Sequence, residues 1–131
     1  MPYAINHLHL KSDDPEQSAL WWGRAFNFTT LRDTKRSFGD RFLICQSENG
    51  ISVMISDART DEVLGPSDAN PHLGLEHFGF DSEDLESDIA RLEELGADLL
   101  EPPIEAAPGV RICFLRTPDG VRVELVEARG D

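Results

Sequence analysis

Two histidines and one glutamate stand where their chemistry would count. His7 lies in Ile5-Asn6-His7-Leu8-His9-Leu10, His77 in Leu75-Glu76-His77-Phe78-Gly79-Phe80, and Glu124 in the apolar run Val123-Glu124-Leu125-Val126. A carboxylate in a half-buried strand must be paired, protonated or placed against a cation. Two imidazoles and a carboxylate form a donor set suited to Fe2+, Mn2+, Zn2+, Ni2+ or Co2+. Taken singly, a strand histidine is more often a hydrogen-bonded core residue than a ligand. The metal reading therefore depends on whether the chain brings the two histidines to equivalent places.

An internal repeat supplies that equivalence. With an offset of 70 residues, Ile5 to Glu16 lies over Leu75 to Glu86, matching His7 to His77, Ser12 to Ser82, Asp14 to Asp84 and Glu16 to Glu86. The same offset lays Arg41-Phe42-Leu43-Ile44 over Arg111-Ile112-Cys113-Phe114, and Asn49-Gly50-Ile51 over Asp119-Gly120-Val121. Two separated blocks in one register indicate a duplicated module, and a unit this long present twice is not a solenoid.

Each copy reads as βαβββ, so the fold class is α+β. Residues 3–11 alternate with period two as a half-buried strand. Asp14-Pro15-Glu16-Gln17 supplies an N-cap, a first-turn proline and a glutamine at the third helical position, predicting a helix over 15–26 with Ala19, Trp22 and Phe26 inward. Strand patterns follow near 28–34, 40–47 and 50–56, the last two joined by Asn49-Gly50, a type I′ hairpin signal. In the second copy Asp84 caps a helix carrying Leu85, Ile89 and Leu92 on one face, and Gly96 stops it. Strands near 98–101, 110–116 and 121–127 complete it, with Asp119-Gly120 as the turn. The modules span 1–56 and 72–131, joined by a linker over 57–71 that reads as a surface connection or a lid.

These elements place the chemistry. A pseudo-twofold arrangement brings His7 and His77 to one central axis, and alternation puts Glu124 on one face of the last strand. His9 shares the face of His7 and is a candidate general acid or base, or a hydrogen-bonding pocket residue. Arg122 shares the face of Glu124 and is a candidate grip for an anionic substrate. Arg41 and Arg111 either do the same or pair with carboxylates on an outer face. Trp21 and Trp22 read as helix-to-sheet core, and His72 as a loop residue.

Composition bounds the rest. The 131 residues and 14.6 kDa hold one ordinary domain, not two independent ones. A formal charge of −13 repels phosphate backbones and anionic lipid, which disfavours nucleic-acid and membrane partners. The apolar share of 40% and charged share of 28% are those of a chain with a core, not of a disordered acidic tail. Cys45 and Cys113 fit no disulfide framework or thiolate metal spacing and read as buried thiols. The N-terminal segment has no leader pattern, so a cytoplasmic location is expected.

Paired βαβββ modules with a first-strand histidine in each, closing on Pro118-Asp119-Gly120-Val121-Arg122-Val123-Glu124-Leu125, resemble the vicinal oxygen chelate superfamily. That superfamily includes glyoxalases, extradiol dioxygenases, methylmalonyl-CoA epimerases, and fosfomycin-resistance and bleomycin-binding proteins. The resemblance implies a curled eight-stranded mixed sheet around a central cavity, one divalent ion on His7, His77 and Glu124, a small oxygen-rich substrate and a homodimer. Many members carry a fourth ligand at the position matching Glu124 in the first module, and here that residue is Met54, a poor ligand for hard ions. Its replacement disfavours the proton-shuttling glyoxalase and epimerase reactions and leaves ring-cleaving dioxygenase or Lewis-acid lyase or transferase chemistry. Extradiol members usually carry an extra histidine and a tyrosine near the metal, but the sole tyrosine here is Tyr3. The alternatives are a non-catalytic sequestering protein like the bleomycin-resistance members, and a metal-free domain with relic histidines.

Overall fold

Asp14 and Asp84 start the two helices in the same way. The Asp14 carboxylate accepts from the Gln17 N–H at 3.2 Å, and Asp84 accepts from the Ser87 N–H at 3.1 Å. Each satisfies one of the donors that a helix start leaves without a partner. In the computed structural model, which describes residues 1–128, these caps open α1 (Pro15–Phe26) and α2 (Leu85–Glu94). The last three residues of the second module, 129–131, lie outside the described residues. Helix α1 ends as expected, at left-handed Asn27 (φ 59°), and α2 ends at Leu95, just before Gly96.

The first unit, Met1–Gly65, holds β1 (His7–Lys11), β2 (Thr29–Lys35), β3 (Arg41–Gln46) and β4 (Ser52–Ser56) in the order β1-β4-β3-β2. The second begins at Pro66 and holds β5 (Phe78–Asp81), β6 (Asp98–Ala107), β7 (Val110–Arg116) and β8 (Arg122–Ala128) in the order β5-β8-β7-β6. Both are βαβββ with a mixed sheet, because β1 runs parallel to β4 and β5 parallel to β8. The α+β class holds, and the eight strands divide into two four-stranded sheets, neither of them closed. The repeat extends to register: Leu8 pairs with Val53 as Phe78 does with Val123, and His9 with Met54 as Gly79 does with Glu124.

One face of each sheet is core. Leu43, Cys45, Val53 and Ile55 are buried, as are Ala19, Trp22 and Ala25 of α1, which packs on β3 and β4. In the second unit Cys113, Leu115, Val123 and Leu125 are buried, as are Leu85, Ile89 and Leu92 of α2. Both cysteines are free, and burial raises both thiols, Cys113 to about 11. Both are therefore protonated, unreactive thiols at neutral pH. Among the described residues no helix is long and apolar enough to cross a membrane.

Three local expectations change. Strand β1 begins at His7, not at residue 3, because β4, with which it pairs, begins at Ser52, the partner of His7. Strand β6 continues through Pro102-Pro103 to Ala107, which its position on the sheet edge tolerates, with register shifts between Glu101 and Ile104. The two matched hairpins are not type I′, since only Gly50 (φ 91°) and Gly120 (φ 80°) have positive φ and Asn49 and Asp119 do not. Bonds from Gly50 N to Ser47 O at 3.0 Å and from Ser47 N to Ile51 O at 2.9 Å define a three-residue loop with a glycine bulge. The bonds Gly120 N to Thr117 O and Thr117 N to Val121 O repeat it.

The linker is tied down inside each unit. Thr60 N donates to Phe38 O at 2.9 Å in the first, and in the second Ser67 Oγ bonds Asp119 O. These bonds favour the surface-connection reading over the lid. They also separate two otherwise matched glycines. A Cβ at Gly50 meets nothing within 4 Å, whereas one at Gly120 would lie 2.8 Å from Ser67 Cβ. Gly50→Ala should cost about 1–2 kcal/mol, the left-handed penalty alone. Gly120→Ala should cost more, and Ser67→Gly should recover part of the excess; urea unfolding of the three variants measures this.

Candidate metal centre

Within the second unit the fold brings His77 and Glu124 together. His77 immediately precedes β5, Glu124 sits in β8 opposite Gly79, and the His77 Nε2 to Glu124 Oε1 distance is 3.6 Å. A Cβ on Gly79 would touch that same oxygen at 3.4 Å, so glycine keeps the space beside the carboxylate open. Phe114 of β7, the register partner of Glu124, sets its ring edge-on to His77 at 5.0 Å. The other ring nitrogen, Nδ1, lies 3.0 Å from Glu76 Oε1. A neutral imidazole that donates from Nδ1 presents a lone pair at Nε2. That lone pair faces a second acceptor across 3.6 Å, an arrangement that two ligands of one cation can adopt. The donor set and its spacing thus fit a divalent cation on Nε2 and Oε1.

Arg122 takes the face of Glu124, as alternation predicts, but its side chain is only 5% exposed. Its guanidinium lies over Phe114 at 4.3 Å, donates from Nη1 to Ala69 O at 3.1 Å and pairs through Nη2 with Glu101. Protein groups therefore already occupy two of its nitrogens, while Nε makes no hydrogen bond among the described residues and stands 3.6 Å from Glu76 Oε1.

The first unit has a different chemistry on the equivalent face. His7 is exposed, with Nδ1 2.9 Å from Asn6 Oδ1. Met54 pairs with His9, so a thioether stands where β8 has its carboxylate. His9 Nε2 is 2.7 Å from Ser56 Oγ, and its ring meets Phe42 edge-on at 5.5 Å. Desolvation, followed by the charges of Lys11, Arg36 and His7, lowers the His9 pKa and favours its neutral form. Lys11 donates to Ser56 Oγ at 3.1 Å and Asp57 O at 2.9 Å and pairs with Glu62 at 3.3 Å, which uses its three hydrogens. Arg36 stacks over Phe42 at 4.0 Å and grips Asp40 through Nε and Nη2.

The remaining candidates are structural. Arg41 pairs with Glu16 and Asp33, and Arg111 with Glu86 and Glu127, so both tie a helix start to its sheet. Trp22 is fully buried, and His72 is an exposed loop residue near Leu73 O. Asp84, Glu86 and Glu127 bring ligand atoms within 4.8 Å of one another. This acidic group needs no ion, since Arg111 bonds Glu86 and Glu127, and Leu85 N–H donates to the second Glu127 oxygen at 3.0 Å. Sequence reasoning missed Asn6 and Glu76, although both stand next to the matched histidines at the same offset.

The family model described as Glyoxalase/Bleomycin resistance protein/Dioxygenase superfamily matches residues 4–125, and the chain belongs to that superfamily. No curated protein matches it. Among solved structures, a glyoxylase/bleomycin resistance protein/dioxygenase domain from Frankia sp. EAN1pec is 22% identical, with 98% of this chain and 94% of that one covered and a TM-score of 0.74. A glyoxalase family protein from Enterococcus faecalis is 25% identical, covering 95% and 97%, with a TM-score of 0.75. A mutant of the genomically encoded fosfomycin resistance protein FosX from Listeria monocytogenes, complexed with Mn(II) and 1S,2S-dihydroxypropylphosphonic acid, is 18% identical, covering 100% and 95%, with a TM-score of 0.72.

The Arg36 fork holds the Asp40 carboxyl below the usual carboxylate range. A lowered folded-state pKa means the ionised form stabilises the fold above the unfolded value of about 3.9, a contribution lost as pH falls through the lower folded value. Thermal melts from about pH 6 to about pH 2.5 should therefore show a larger fall in Tm for the wild type than for Asp40→Asn.

Proposed function

We propose that the chain is a divalent-metal-dependent enzyme holding one ion on His7, His77 and Glu124 and acting on a small substrate through vicinal oxygens. The observation that carries this reading is the 3.6 Å approach of His77 Nε2 to Glu124 Oε1, two acceptors with Nδ1 already engaged by Glu76. His7, His77 and Glu124 would hold the ion, and substrate oxygens would complete its coordination. When bound, the ion supplies Lewis-acid polarisation of a coordinated oxygen. The Mn(II) and dihydroxyphosphonate of the FosX complex support Mn2+ among Fe2+, Mn2+, Zn2+, Ni2+ and Co2+.

The chain's own groups favour lyase or transferase chemistry over ring cleavage. Neutral His9 can take a proton at Nε2 from the Ser56 hydroxyl, 2.7 Å away, as that hydroxyl accepts one from the substrate. Met54 can take none, which argues against a paired-carboxylate proton shuttle. Tyr3, the sole tyrosine, is fully exposed, which weighs against its serving as the phenol expected beside a dioxygenase metal. A cytoplasmic homodimer completes the reading, and the unreactive thiols of Cys45 and Cys113 suit a reducing compartment.

Protein purified without chelator should carry about one transition-metal ion per chain by elemental analysis. His7→Ala, His77→Ala and Glu124→Ala should each abolish stoichiometric binding, and chelation should lower Tm. At a free metal concentration of about 100 times Kd the ion adds about 2.7 kcal/mol. Metal-free wild type with a Tm unmoved by added metal would sink the enzyme reading and leave the sequestering one. Oxygen uptake on catechols after anaerobic Fe2+ loading would move the assignment to the dioxygenases.

A further inference from the structure

Each candidate ligand histidine is preceded by a residue whose side chain reaches its ring. Asn6 Oδ1 lies 2.9 Å from His7 Nδ1, and Glu76 Oε1 lies 3.0 Å from His77 Nδ1. Asn6 and Glu76 are related by the same 70-residue offset as the histidines, so the contact is a feature of the duplicated module and not of one loop. The chemistry of the partner differs between the copies. A carboxylate only accepts, so Glu76 requires the proton of a neutral His77 ring to sit on Nδ1. Asn6 can impose the same tautomer through its amide oxygen, but without charge.

In the second copy a counter-charge stands behind the carboxylate. Arg122 is held by the Phe114 ring, Ala69 O and Glu101, which leaves its buried Nε facing Glu76 Oε1 at 3.6 Å. The carboxylate oxygen that meets His77 is thus the one that meets the guanidinium.

We propose that Glu76 is the positioning residue of His77: it fixes the Nδ1–H tautomer and aims Nε2 at the side of Glu124, while Arg122 keeps the Glu76 side chain in place. Asn6 positions His7 in the same way, which makes His77 the more strongly donating of the two rings. A charged acceptor on the remote N–H raises the basicity of the ligating nitrogen more than an amide does. The benefit to metal binding rests on the metal-centre reading above; the tautomer does not.

The test uses the full-length, metal-free protein at a pH where the rings are neutral. Long-range 1H–15N correlation spectra, assigned by substituting each of the four histidines in turn, report which ring nitrogen carries the proton. His77 should show a protonated Nδ1 and a bare Nε2, the reverse of the tautomer that prevails in an unconstrained histidine. Glu76→Gln should retain it and Glu76→Ala should release it, with backbone spectra confirming that both variants fold. Affinity for Mn2+ should fall roughly 10–100-fold in Glu76→Ala and less in Glu76→Gln. A wild-type His77 protonated on Nε2, or a tautomer unmoved in Glu76→Ala, overturns the proposal. The expected tautomers in a wild type that binds no metal would uphold the positioning role and remove the metal centre.

Discussion

Strand register is the constraint on which each unit depends. In a strand the side chains alternate between faces, so a slip of one residue exchanges core for site along its whole length. Within their own sheets β1 and β5 are edge strands, each paired in parallel with one strand, β4 and β8 respectively. Their alignment is set by the apolar face: Val53 and Ile55 of β4, and Val123 and Leu125 of β8, are almost wholly buried. The penalty for exposing such side chains is about 1.5–3 kcal/mol each, so exposing several together outweighs the polar contacts on the opposite face. The histidines and Glu124 therefore reach their positions because the residues between them cannot leave theirs.

The duplication was legible because it repeats residue types that local physics demands. Asp14 and Asp84 cap helices in any context, and the matched Asn49-Gly50 and Asp119-Gly120 close hairpins in any context, so helices and turns fell where the pattern put them. What local pattern could not specify was pairing. Residues 3–6 alternate as a strand should, but among the described residues they pair with no strand, since β4 starts too late to offer a partner. The strand expected near 98–101 runs on through Pro102-Pro103, which is tolerated because an edge strand needs hydrogen bonds on one side only. The bulge in place of a type I′ turn turns on the backbone angle of one residue, Asn49, which the dipeptide alone does not fix.

The site was legible in part for the same reason. The alternation around Glu124 and the equivalence of His7 and His77 follow from spacing, and the structure places His77 beside Glu124. The surroundings of Arg122 were hidden, because they come from three remote segments, those of Ala69, Glu76 and Glu101. Its alternation gives the face but not the partners. The pairs made by Arg41 and Arg111 were half legible: the duplicated positions marked them as structural or substrate-binding, and only the geometry of Glu16, Asp33, Glu86 and Glu127 decides for the former.

The two copies solve the start of their helices differently. Pro15 has no N–H to satisfy, whereas the Leu85 N–H is taken by Glu127, and the residue matching Glu127 in the first copy, Asp57, accepts instead from the Arg41 N–H at 2.8 Å. One substitution at the first position of a helix thus changes what a carboxylate on the far end of the sheet is needed for. Such exchanges give a duplicated protein room to diverge. Each copy can retain a shared backbone while its acidic residues are reassigned one at a time, and a methionine in one copy at the position that holds a glutamate in the other is the kind of inequality that this freedom permits.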